Sequence, residues 1–125
     1  MSVARPAPDG YHTLTPRMVV PDVRAEAAFL GEVFGAAGEV TDGRPAELRI
    51  GDSLIMVSPV GERESFPTFL YVYVDDADVT HRAALAAGAE EIEPPSDTHY
   101  GDRRGMFRDP FGNVFQVAHR RGESR

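Results

Sequence analysis

Apolar positions recur along the chain at two alternating periods, and their order predicts the elements. Thr13–Val20 reads as a strand, with Pro16 near its start where a missing N–H is tolerated. Asp22 is placed as a helix N-cap. Behind it Val23, Ala27, Leu30 and Phe34 share one helical face, and Gly35 and Gly38 end the element. Gly38–Thr41 is a short strand candidate. Pro45–Ile50 and Ser53–Ser58 flank the turn pair Gly51-Asp52 and predict a hairpin. After a polar stretch over 59–66 the order restarts. Thr68–Val74 is the strongest strand pattern. Asp75-Asp76 leads into a helix with Val79, Ala83 and Ala86 on its apolar face, stopped by Gly88. Ala89–Glu93 follows as a strand, then Pro94-Pro95 and a longer loop. Arg103–Arg108 and Asn113–Ala118 close a second hairpin around Asp109-Pro110-Phe111-Gly112.

The second half repeats the first. Val20-Pro21-Asp22 aligns with Val74-Asp75-Asp76, and Ser53–Val57 aligns with Asn113–Val117. The division is therefore a loose arm over 1–12, a first module over 13–58, a linker over 59–66, a second module over 67–118 and a polar tail over 119–125. Residues 13–118 together form one domain. One helix can cover only one face of each sheet, so the other face needs a partner. Strand parity separates the two faces. Leu70, Val72 and Val74 suit a helix; Phe69, Tyr71 and Tyr73 fall on the opposite side. The same rule assigns Met18, Val20, Ile55, Val57, Phe115 and Val117 inward. Thr15, Arg17, Met56 and Gln116 go with the aromatics on an open face, a mixture suited to a small-molecule site.

Composition narrows the chemistry. The chain has 125 residues, a formal charge of −7, no Cys and no Lys, all 13 basic residues being Arg. This excludes disulfides, thiolate nucleophiles, Cys-ligated zinc and Schiff-base amines. The acidic balance argues against nucleic acid and anionic membranes as partners and favours a cationic small molecule. No apolar run reaches the length of a membrane span and no basic-then-apolar leader is visible, so a cytoplasmic location is expected.

The paired β-α-β-β-β order, the step Tyr73-Val74-Asp75-Asp76, and the runs Tyr100–Gly105 and Asp109–Asn113 together resemble the vicinal oxygen chelate superfamily. Within it the chain is similar to glyoxalase/bleomycin-resistance/dioxygenase-like proteins, particularly the small PhnB-like group. The resemblance implies an α+β fold in which two βαβββ modules form a curved mixed sheet with helices on its outer face. It also implies a cavity commonly completed in a homodimer. Enzymes of the superfamily hold a divalent metal with side chains from the first and last strands of each module. Carried onto this chain, those positions are Thr15, Met56, Phe69 and Gln116. Only Gln116 is a conceivable ligand, so no metal and no cofactor are expected.

Other candidates carry weaker signals. His12, His81, His99 and His119 form no metal-ligand spacing and read as surface or loop residues. Asp97–Arg104 reads as a functional loop in which Arg104 contacts ligand and His99 pairs with Asp102. Glu47, His99 and Tyr100 are the residues an acid–base mechanism would use. The resulting expectation is a metal-free, homodimeric protein binding a small apolar or cationic compound, an antibiotic among the options. Its contacts would be Thr15, Arg17, Met56, Phe69, Tyr71, Tyr73, Gln116 and Arg104. The alternative is a lyase, isomerase or dioxygenase-like enzyme using a displaced divalent metal or acid–base residues.

Overall fold

The computed structural model describes residues 6–61 and 63–122. The first module comprises β1 (Arg17–Val20), α1 (Val23–Phe34), β2 (Ala46–Ile50) and β3 (Ser53–Pro59). The second comprises β4 (Phe69–Tyr73), α2 (Ala77–Ala86), β5 (Glu90–Asp97), β6 (Asp102–Arg108) and β7 (Val114–Arg120). The strands form two mixed sheets, ordered β1-β3-β2 and β4-β7-β6-β5. In each, the first strand of the module lies parallel to its last. The repeat holds at the level of register. Arg17 pairs with Met56 and Tyr71 with Gln116, and Tyr71 lies 54 positions after Arg17 while Gln116 lies 60 after Met56.

Local chemistry sets the helix ends. Asp22 accepts a hydrogen bond from the Ala25 N–H at 3.0 Å, and Asp76 accepts from the N–H groups of Asp78 and Val79. Gly35, in the left-handed conformation, closes α1 through the carbonyl of Gly31. The core is continuous across both modules. Phe29 and Phe34 of α1 pack against Phe107 and Phe115 of the second sheet, and the Phe107–Phe115 centroids are 5.5 Å apart. A single helix thus joins two sheets that neither module could cover alone.

Several expectations change. Gly38–Thr41 is not a strand; only Ala37 reaches across, in an isolated bridge to Arg49. Gly38 there adopts φ +151°, and a Cβ on it would lie 2.3 Å from the Glu47 carbonyl oxygen, so only a glycine fits where the chain passes β2. β1 is shorter than Thr13–Val20. In α1 the buried face is Glu26, Phe29, Leu30 and Val33, turned from the Val23–Phe34 stripe. In α2 it is Ala77, His81 and Ala84, while Val79 is 52% exposed and Ala86 is exposed. Small apolar residues define a face poorly; His81, bonded to Glu91, sets the orientation.

β5 runs straight through Pro94-Pro95, which an edge strand tolerates because its outer N–H groups need no partner, and the ladder slips on either side of Glu93. The expected long loop over Asp97–Arg104 contracts to residues 98–101. The last strand continues two residues past Ala118, so His119 and Arg120 belong to the sheet rather than to a tail.

Candidate functional site

The open face of the second sheet assembles from three strands. Phe69, Tyr71 and Tyr73 of β4 stand at 65%, 39% and 60% exposure. Beside them lies Gln116 of β7, register partner of Tyr71, and beyond it Met106 of β6, register partner of Gln116. Phe69 and Gln116 therefore share one surface, as parity predicts. Thr15 precedes β1, and Met56 lies opposite Arg17 and Glu47 on the first sheet.

At one end of this face sits Asp102, fully buried as the first residue of β6. Thr98 holds the turn before it: its hydroxyl bonds to the Asp102 carbonyl at 2.9 Å and accepts from the Asp102 N–H at 3.0 Å. The carboxylate accepts from the Tyr71 hydroxyl at 2.6 Å, the Tyr73 hydroxyl at 2.9 Å and the Arg120 guanidinium at 2.7 Å. Arg120 lies over Gly101, where a Cβ would come within 2.9 Å of it. Burial pushes the Asp102 carboxyl pKa up, but the three donors outweigh burial and hold it below the ordinary carboxylate value. Burial and then the bond to Asp102 raise Tyr71; for Tyr73 the Asp102 bond is the larger cause and burial the smaller. With both phenol hydrogens spent on Asp102, Tyr71 accepts from Tyr100, whose hydroxyl is 3.2 Å away.

The two tyrosine rings sit 5.4 Å apart as a fixed aromatic wall. Along the unpaired edge of β4 runs a groove of about 590 Å³, lined by both tyrosines, Leu70 and Val72, Leu54 of β3 and Phe34 of α1. The pattern of apolar positions carried no sign of this groove.

The remaining candidates separate. Tyr100 joins the network, but His99 does not pair with Asp102; its ring packs edge-on against Tyr100 at 5.2 Å. Arg104, expected in the loop, lies in β6 on the face of Asp102 and Met106 and bonds Glu93, with its Nε buried and unpartnered. Arg103 is structural, bridging Asp78 at the start of α2 and Asp97. Glu47 is exposed on the open side of the first sheet. His81 is no surface residue: it is buried under the second sheet, 2.9 Å from Glu91. The His119 Nδ1 accepts the Ala77 N–H at the start of α2, at 2.8 Å. Among the described residues no group of three or more His, Asp or Glu is placed to hold a metal.

Arg120, in the polar tail expected over 119–125, joins the Asp102 network and is the residue of this candidate site that the sequence analysis does not name. The signal was available: extending the 109–113 hairpin at constant register places Arg120 opposite Asp102.

Two modules in which the first strand lies parallel to the last, each carrying one helix, define a vicinal-oxygen-chelate fold. The chain belongs to the glyoxalase-like domain family, whose model matches residues 15–118. An uncharacterised protein of Mycobacterium bovis is 32% identical, the match covering 83% of this chain and 80% of the relative. Among solved structures, TioX from a Micromonospora species superposes with a TM-score of 0.75 at 24% identity, covering 86% of this chain and 97% of that one. A glyoxalase/bleomycin resistance protein/dioxygenase family enzyme from Burkholderia phytofirmans gives 0.70 at 25% identity, covering 82% and 94%. The fosfomycin resistance protein FosX of Mesorhizobium loti gives 0.66 at 21%, covering 86% and 91%.

Proposed function

We propose that this protein binds a small, flat, largely apolar compound against the Phe69–Tyr71–Tyr73 wall without using a divalent metal. The observation that carries the reading is the anchoring of two exposed tyrosines on one buried carboxylate. Large aromatic surface is left facing solvent but held rigid, so binding would order little that is not already ordered. The adjoining groove of about 590 Å³ is of the size small-molecule pockets have. Asp102 is neutralised by Arg120, so the wall itself favours an apolar ligand over a cationic one.

The metal positions argue the same way. A hydroxyl, a thioether, a phenyl ring and an amide at Thr15, Met56, Phe69 and Gln116 do not make a donor set for a hard divalent cation. We take the homodimer as part of the proposal. Exposed Phe66, Phe69 and Tyr73 and the unpaired edge of β4 leave one side of the site open, which a second copy would cover. An antibiotic ligand draws support only from the kinds of protein that share the fold.

The test is native mass spectrometry with light scattering, followed by thermal-shift screening of aromatic and antibiotic compounds. A metal-free dimer should gain stability from at least one aromatic ligand and lose that gain in Tyr73→Ala. A monomer unaffected by the whole panel overturns the reading. So does a stoichiometric divalent metal that is lost in Gln116→Ala, which would instead favour the lyase, isomerase or dioxygenase-like alternative.

A further inference from the structure

Six of the eleven arginines among the described residues are paired with carboxylates. Arg24, Arg103, Arg104, Arg108, Arg120 and Arg121 each lie within ion-pair distance of a carboxylate. Of the five described arginines without such a pair, Arg17 and Arg63 line the same recess. The recess measures about 150 Å³ and is completed by Val19, Ser58 and Pro59. Ser58 is buried, and its hydroxyl accepts from the Arg17 Nε at 2.9 Å. That bond fixes the guanidinium plane and leaves its terminal nitrogens free to bond elsewhere.

Register places the recess on the open side of the first sheet. Arg17 pairs with Met56 and Val19 with Ser58, so these four side chains share one surface. The acid closest in register is Glu47, across Met56 from Arg17, and it does not line the recess. Two guanidinium groups that line one recess repel each other, and a bound anion relieves that repulsion while taking up bidentate donors.

We infer that Arg17, Arg63 and Ser58 form a binding site for a small oxyanion: a phosphate, phosphonate, sulfate or carboxylate group. The site lies on the first sheet and stands apart from the aromatic wall of the second. The oxyanion is either a free ion or the acidic end of a larger ligand, and the chemistry is common to both.

The probe is inorganic phosphate, followed by calorimetry and thermal shift at constant ionic strength, with chloride as the balancing salt. Saturable binding is expected, weakened by about tenfold or more in Arg17→Gln and in Arg63→Gln, and less in Ser58→Ala. Arg44→Gln, an exposed arginine outside the recess, should bind as the parent does. All four variants replace residues outside the hydrophobic core, so far-ultraviolet circular dichroism should report a fold unchanged. Phosphate acting no differently from chloride overturns the inference, as does equal binding by both arginine variants and the parent.

Phenylphosphonate then separates the two sources. Tighter binding than phosphate, lost in Tyr73→Ala, marks the recess as the acid end of the ligand held by the wall. Equal binding, unaffected in Tyr73→Ala, marks it as an independent oxyanion site. In that second case the oxyanion site stands while the aromatic-wall proposal receives no support from it.

Discussion

Asp102→Asn tests both the stability of the site and its role. The carboxylate is fully buried and takes three donors at 2.6–2.9 Å, two phenols and a guanidinium. Breaking a buried charged pair typically costs about 3–5 kcal/mol. Tyr71, Tyr73 and Arg120 all reach solvent and can bond water instead, and asparagine keeps one acceptor oxygen, so the expected cost falls to about 2 kcal/mol. For a domain of this length that lowers the melting temperature by roughly 6–12 °C.

The pH dependence adds a second signature. The folded-state pKa of Asp102 lies below its ordinary value, so its contribution is present above the unfolded pKa and is lost as pH falls through the folded one. The gap between parent and variant should therefore be full at pH 7 and close below about pH 4. Urea denaturation at pH 7 and thermal melts from pH 3 to 7 measure it. A difference under about 0.5 kcal/mol at pH 7, or one that persists unchanged at pH 3, refutes the reasoning. The variant should also loosen Tyr71 and Tyr73, weakening any aromatic ligand bound to the wall.

Other outcomes follow from the interior. Glu26 is fully buried; its Oε1 accepts from Asn113, its Oε2 has no partner, and burial followed by the neighbouring Asp109 pushes its pKa up to about 9. The folded state thus keeps a proton that the unfolded chain releases from about pH 4.5 upward, so stability should fall as pH rises toward 9. Glu26→Gln should flatten that slope in thermal melts. Phe107→Ala, which removes the ring stacked on Phe34 and Phe115 and met edge-on by His81, should cost about 3–5 kcal/mol in urea denaturation. Gly38→Ala should destabilise by about 2 kcal/mol or more, because its φ of +151° disfavours a side chain and the new Cβ meets the Glu47 carbonyl; an unchanged urea midpoint would contradict this.

Membership in the glyoxalase-like family was legible in the order of elements and in the Asp109–Asn113 turn. That turn proves to be a hydrogen-bonded knot: the Asp109 carboxylate accepts from the Phe111 and Asn113 N–H groups, while the Asn113 amide reaches Glu26 and Thr68. The narrower likeness to the PhnB-like group rests on the sequence runs alone. For the site, parity placed Phe69, Tyr71, Tyr73 and Gln116 on one surface. It could not reveal that Asp102 and Arg120 organise them.

Alternation along a strand and the match between the two halves are local properties, so the sequence by itself determined which residues face the helices, which face outward, and how the first and last strands of each module align. Burial and partnership are different. The Asp102 bonds to Tyr71 and Tyr73 cross 31 and 29 residues, and Glu26 meets Asn113 across 87. No window of neighbouring residues contains such pairs. Only packing could turn α2 on His81, carry β5 through two prolines, and bring Arg17 and Arg63 to one recess. His81 found Glu91 and Arg17 found Ser58 in other elements, and the prolines fit because β5 is an edge strand.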